Sequence, residues 1–278
     1  MSLQDQAMLA NLTIHQWSAR KLDRRATKEV DTTHGADGAG RYNKLLVDKS
    51  ALDPITKAAG ALRTLHYELT LAWGDNGDRL LPSSLFMDYT QKTRGAKDVF
   101  LAAVRQFVAE YPSIIQVTRK RLGSLYDPAD YPAATQIASR FFVDIGFSPI
   151  AAADDFRVNV GVEAVAEIRA EIAKREAERI KASTEECRAR VTEVVERYAL
   201  RMSDEKGRVY DSMVDNARAL ITVLPALNVA RDSELDRIGH EIEQRLLPYT
   251  ISQLRSSASA RQKVAEAAND ILTRMKYA

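Results

Sequence analysis

From Gly161 to Met202 the chain runs about forty residues without a proline or an internal glycine. Apolar side chains return every three or four positions along it: Val165, Ile168, Ile172, Ile180, Cys187, Val191, Val194, Tyr198 and Met202. That period belongs to one long helix with an apolar stripe. Its middle third, AKREAERIKASTEECRAR, is nearly all charge and alanine. Opposite charges stand four apart at Glu171–Arg175, Lys174–Glu178, Glu186–Arg190 and Glu193–Arg197. Each such pair contributes a few tenths of a kcal/mol, enough to favour a solvated helix but not to anchor it. The reading is a helix that projects from a body, with Ile180 nearly alone on its stripe.

After a break near Ser203–Gly207, three shorter helices are expected. One carries Val209, Met213, Leu220, Ile221 and Leu224 up to Pro225; one starts near Asp232-Ser233 and ends before Pro248; the last runs from about Thr250 to the C-terminus. The long helix then folds back on them as a bundle or arm.

Before residue 161 the signals are mixed. Leu9–Trp17 alternates as a strand does, and Phe142–Phe147 and Phe156–Val160 read as two strands of an antiparallel ribbon. In SARKLDRRATKEV a helix would gather Arg20, Lys21, Arg24, Arg25 and Lys28 on one side. Asp31–Gly40 reads as a loop, and Asp53-Pro54 as a helix start. Trp73–Pro82 reads as a turn-rich connection with an Asn-Gly step, leading to a helix that ends at Tyr111-Pro112. A further helix over 113–122 ends in Arg119, Lys120 and Arg121, with Gly123 as its cap. The fold class expected is α+β and predominantly α-helical. An N-terminal mixed domain over 1–160 with a small antiparallel ribbon precedes a C-terminal helical domain over 161–278.

Composition narrows the function classes. A formal net charge of +2 makes no global field toward nucleic acid or anionic membrane, so any such binding rests on local patches. A single cysteine, Cys187, makes no intramolecular disulfide and suits a reducing compartment. The N-terminus lacks a signal-peptide pattern, and no apolar run approaches the roughly 18–20 residues of a membrane span. A soluble, cytoplasmic protein is expected. His15, His34, His66 and His240 show no metal-ligand spacing, and neither Gly35-Gly38-Gly40 nor Asp75-Asn76-Asp78 follows a phosphate- or calcium-loop pattern. No catalytic residue, metal or cofactor is assigned.

Basic clustering remains. Arg20, Lys21, Arg24, Arg25 and Lys28 form one group, Lys92, Arg94 and Lys97 a second, and Arg119, Lys120 and Arg121 a third, with Trp17, Tyr42, Trp73 and Tyr126 as stacking surfaces. Converged, they would hold nucleic acid through its phosphates without sequence readout. Left apart, they are ordinary surface charge.

Trp73–Pro82 (WGDNGDRLLP), Phe107–Pro112 (FVAEYP), Asp127–Pro132 (DPADYP) and Phe156–Val160 (FRVNV), in that order and spacing, resemble a family of uncharacterised phage and prophage proteins. The resemblance covers roughly residues 9–247. It implies no catalytic residue, but does imply a mobile-element setting near DNA-processing genes. The function expected is therefore non-enzymatic: self-association through the helical part, and binding of DNA or a DNA-processing complex through the basic face. The first alternative is an adaptor or inhibitor docking on a host or phage protein without nucleic acid. The second is a cryptic enzyme, for which Asp75, Asp78 and Arg79 would share a pocket with His66.

Overall fold

The structure is a computed structural model and describes residues 3–74, 76–151, 162–204 and 207–276. Its elements in chain order are α1 (Leu3–Gln6), β1 (Ala7–His15), β2 (Arg20–Leu22), α2 (Arg24–His34), β3 (Asn43–Leu45), α3 (Lys49–Glu68), β4 (Leu71–Ala72), β5 (Asp78–Pro82), α4 (Phe86–Leu122), β6 (Phe142–Ser148), α5 (Val162–Ser203), α6 (Asp211–Leu227), α7 (Ser233–Arg245), α8 (Ile251–Ser256) and α9 (Ala258–Met275). A four-stranded sheet has the order β4-β5-β1-β6, and β2 pairs with β3 as a separate ribbon. The fold is α+β and mostly helical. Among the described residues no helix is long and apolar enough to cross a membrane. The second ribbon strand expected at Phe156–Val160 lies outside the described residues.

Two compact units share the chain, and neither is bounded at residue 160. One comprises Met1–Asn11, His66–Tyr89 and Gly146–Ala278; the other comprises Leu12–Leu65 and Thr90–Ile145.

In the first unit the expected long helix is continuous as α5. Its two halves differ. Up to Lys181 the side chains described are exposed or half-buried, while from Ser183 onward Cys187, Val191, Val195, Tyr198 and Met202 form a buried stripe. That stripe packs in one core with Val264, Ala268 and Ile271 of α9, Leu235, Ile238 and Ile242 of α7, and Leu71 and Leu80 of the sheet. The polar middle of the sequence is therefore solvated only in its first part. Burial of each large apolar side chain stabilises by about 1.5–3 kcal/mol, so the stripe outweighs exposed pairs such as Arg175–Glu171 (2.8 Å) in holding the helix.

The remaining helices depart from expectation at their ends. The C-terminal helix is two helices, because Ser257 leaves helical geometry and its Oγ accepts from Ala260 N–H (3.2 Å) to start α9. Thr250 and Gln253 cap α8 reciprocally. α6 runs past Pro225 to Leu227, with Leu224 and Leu227 buried on either side of the proline.

Trp73–Pro82 is not a plain connection but the turn and second strand of a hairpin. Leu71 pairs with Leu80 and Ala72 with Arg79, and β5 continues onto β1 from Asn11↔Asp78 to Ala7↔Pro82. The Asn-Gly step sits at the turn, where Gly77 has φ +88°, a left-handed conformation that favours glycine.

The second unit is built on α3 and α4. Ile55, Ala59 and Leu62 meet Phe100, Val104, Phe107 and Tyr111, with Ile137, Phe141 and Val143 closing the core. α3 starts a turn earlier than Asp53-Pro54, since Asp48 caps it by accepting from Ser50 N–H (2.9 Å). α2 likewise takes the first residues of the expected loop, stopping only at Gly35 with φ +62°. Neither Tyr111 nor Pro112 ends α4, which continues to Leu122. A mid-helix proline costs about 3 kcal/mol. Tertiary packing meets that cost: Tyr111 is fully buried, its hydroxyl donates to Pro132 O (3.1 Å), and Trp17 packs against it and Phe107.

Candidate nucleic-acid interface

The basic segment does not form one helix. Arg20 and Lys21 lie on β2, opposite Leu45 and Lys44 of β3. The chain then turns at Asp23, whose extended backbone and side-chain acceptance from Ala26 N–H (3.0 Å) start α2. Arg24 and Arg25 therefore occupy the first turn of α2, both exposed, directly after the Asp23 carboxylate that caps it. Cations at a helix N-terminus oppose the helix dipole.

Lys44, which the sequence reading passes over, organises this region from beneath. It is only 5% exposed, and its Nζ bonds Asp23 (3.0 Å), Asp130 (2.7 Å) and the carbonyl of Leu125 (2.7 Å). One ammonium so ties β3 to the cap of α2 and to the turn after α4. Burial disfavours its charge, but the two carboxylates outweigh that and raise its pKa. The Asp23 carboxyl is held below its ordinary value, first by the bond from Ala26 N–H and then by Lys44.

The end of α4 reaches the same place. Arg121 donates to the carbonyl of Leu45 (2.8 Å), the residue paired with Arg20. The guanidinium of Arg119 lies 5.9 Å from the ring centre of Tyr126, and Tyr126 packs on Tyr131 at 5.3 Å. Burial pushes the Tyr131 phenol up to about 12. Next to these groups an open cavity of about 610 Å³ is lined by Lys21, Arg24, Arg25, Lys44 and Tyr126, together with Asp23, Glu29, Asp127 and Asp130.

The first and third basic clusters thus converge around Leu45 and Tyr126. Arg20, Lys28 and Lys120 are exposed on the same elements. The second cluster does not join them: Arg94 precedes Arg119 on the continuous α4 by roughly 38 Å, at about 1.5 Å per residue. Among the aromatic residues, Tyr126 lines the cavity and Tyr42 is exposed, whereas Trp17 is core packing. Trp73 is buried in the first unit with Arg179 over its ring at 5.7 Å. A stacking role fits only the two tyrosines.

The groups weighed for catalysis have other tasks in the first unit. His66 is buried, with Nδ1 2.8 Å from the Tyr89 hydroxyl; burial, helped by Arg79, pushes its pKa down to about 4. Arg79 bonds Glu186 (2.8 Å) and Thr70 and lies over the Tyr67 ring, while Asp78 bonds Asn76 and Asn11 in the hairpin turn. Asp75 lies outside the described residues. Glu186 also accepts from Arg190 (2.5 Å) and from Ala72 N–H, stapling α5 to β4. Cys187 is fully buried and its thiol is raised to about 11, the condition of an inert structural cysteine. Among the described residues no group of three or more potential ligands is arranged to hold a metal ion.

Compared with protein-family models, curated proteins and solved structures, the chain matches none.

Proposed function

We propose that the protein binds nucleic acid, DNA in the first instance, through the face formed by β2, the first turns of α2 and the end of α4. Phosphates are held by Arg20, Lys21, Arg24, Arg25, Lys28, Arg119 and Lys120. Arg121 holds the face together through Leu45 as well as adding charge. The supporting observation is that two basic clusters nearly a hundred residues apart in sequence meet on either side of Leu45. Exposed arginines at the wrong end of the α2 dipole add to it, since a partner's negative charge would offset what the helix loses. A phage or prophage setting, implied by the sequence resemblance, belongs to the same proposal.

Fluorescence anisotropy of a labelled oligonucleotide over a salt series tests this reading. Binding at low salt that weakens steeply with added salt is expected. Arg24→Ala/Arg25→Ala should lower the slope of log affinity against log salt by roughly one to two. No binding at low salt, or binding indifferent to salt, rejects it.

Self-association through the helical unit is the second part of the proposal, supported by Leu200 of α5, which is 71% exposed. Light scattering that returns a monomer at all concentrations would reject it. The adaptor reading draws on the same exposed residue and the solvated first half of α5. It gains if a partner is retained after nuclease treatment while the protein has no affinity for DNA.

A further inference from the structure

The converged face is concave, and its lining carries four cations and four carboxylates, with the Lys44 cluster as its buried part. Lys44, on the buried side, is neutralised by Asp23 and Asp130. Asp127 and Glu29, both exposed, add further carboxylates to the lining. A phosphate pushed into this cavity would meet carboxylates at close range, in a setting where water screens them less than at the open surface. Arg24 and Arg25 are exposed on the lining, and Arg119 is exposed beside the Tyr126 ring. Phosphates therefore suit the rim, and the interior suits an uncharged polar group.

We infer that the cavity takes the base of an unpaired nucleotide beside Tyr126, so that the nucleic acid bound is single-stranded. Resting on the proposed function, this narrows its ligand class. A nucleobase is neutral and flat, and its ring N–H (thymine) or exocyclic amino group (adenine, cytosine, guanine) donates to carboxylates while its face stacks on a phenol ring. The cavity, about 610 Å³, falls within the size range of small-ligand sites, and its lining is polar as a base edge requires. A duplex keeps its bases stacked and paired and shows only their edges in the grooves, so it would engage the rim and leave the interior unused. Arg119 is exposed beside the Tyr126 ring and can turn to the phosphate of an incoming strand as the base takes its place.

The test compares three ligands of equal length and label: an oligo-dT strand, the same backbone with abasic sites throughout, and a hairpin duplex. Oligo-dT should bind roughly ten-fold tighter than the abasic strand, the scale of base–aromatic stacking, and tighter than the duplex. Tyr126→Ala should abolish that preference while Tyr126→Phe, which keeps the ring, retains it. Equal binding of oligo-dT and the abasic strand overturns the inference but leaves the phosphate reading standing. Duplex bound as tightly as oligo-dT, or a preference unmoved by Tyr126→Ala, also overturns it. If none of the three ligands binds, the proposed function falls as well.

Discussion

Replacing Lys44 by methionine keeps most of the side-chain volume and removes the ammonium that Asp23, Asp130 and Leu125 O share. The two carboxylates are 10% and 11% exposed, so neither recovers full hydration. Breaking a buried ion pair from one side costs about 3–5 kcal/mol. The adjoining cavity admits water, which places this site at the lower end, about 3 kcal/mol at neutral pH. The pH dependence has a definite sign. Asp23 has a lowered pKa in the folded protein, so its contribution is present above the unfolded carboxylate value and lost as pH falls through the folded one. Lys44 has a raised pKa, so its contribution is complete below the unfolded lysine value and lost as pH rises through the folded one. The gap between wild type and Lys44→Met should accordingly be widest near neutrality and narrow as the carboxyls protonate. Trp17 belongs to this unit and Trp73 to the other. A urea titration read by tryptophan emission in a Trp73→Phe background therefore isolates the affected unit. Adding Asp23→Asn and Asp130→Asn to Lys44→Met should restore much of the loss, because neutral amides need no counter-charge. A loss under about 1 kcal/mol for Lys44→Met, against the range expected for a buried pair, or no recovery in the triple variant, would refute the clamp.

Glu186→Gln removes the charge facing Arg79 and Arg190 and should cost about 1–2 kcal/mol in denaturant titrations, since the site is only partly buried. His66 is buried neutral with a pKa near 4. Stability should fall by up to about 3 kcal/mol as pH drops from the ordinary histidine value toward 4, and His66→Phe should flatten that part of the profile. Cys187 should resist a thiol reagent such as Ellman's in the native protein and react promptly in denaturant; fast native labelling would contradict its burial.

Repeating patterns carried through from sequence to structure; single-residue signals held at Gly123 (φ +52°) and at the Asp232 cap but not at the prolines. Nine stripe positions over forty residues made α5 legible, because no strand or loop satisfies that period. Proline predicts a helix boundary at three positions where none forms. Pro54, Pro112 and Pro225 all lie inside helices, because burial around them exceeds the loss of one backbone bond. The β4–β5 hairpin escaped because β4 is two residues long and Asp-Arg-Leu-Leu-Pro does not alternate, although Asn76-Gly77 marked its turn. At the candidate interface the arginines were visible as clusters, but their convergence was not, since it depends on β2 pairing with β3. Lys44 left no signal of its own: in Asn-Lys-Leu-Leu-Val nothing distinguishes a buried lysine from an exposed one.

The first unit is assembled from three separated stretches of chain. A fragment starting at residue 161 would carry Cys187, Val191 and Tyr198 but leave behind Leu9, Leu71 and Leu80, which bury the same surface. No single cut releases that unit intact. During synthesis the ribosome delivers Leu12–Leu65 and Thr90–Ile145 complete, while the early strands must wait for the last helices before their apolar side is covered. A nascent chain of this design has an interval of exposed sheet, and a chaperone would find its binding surface there.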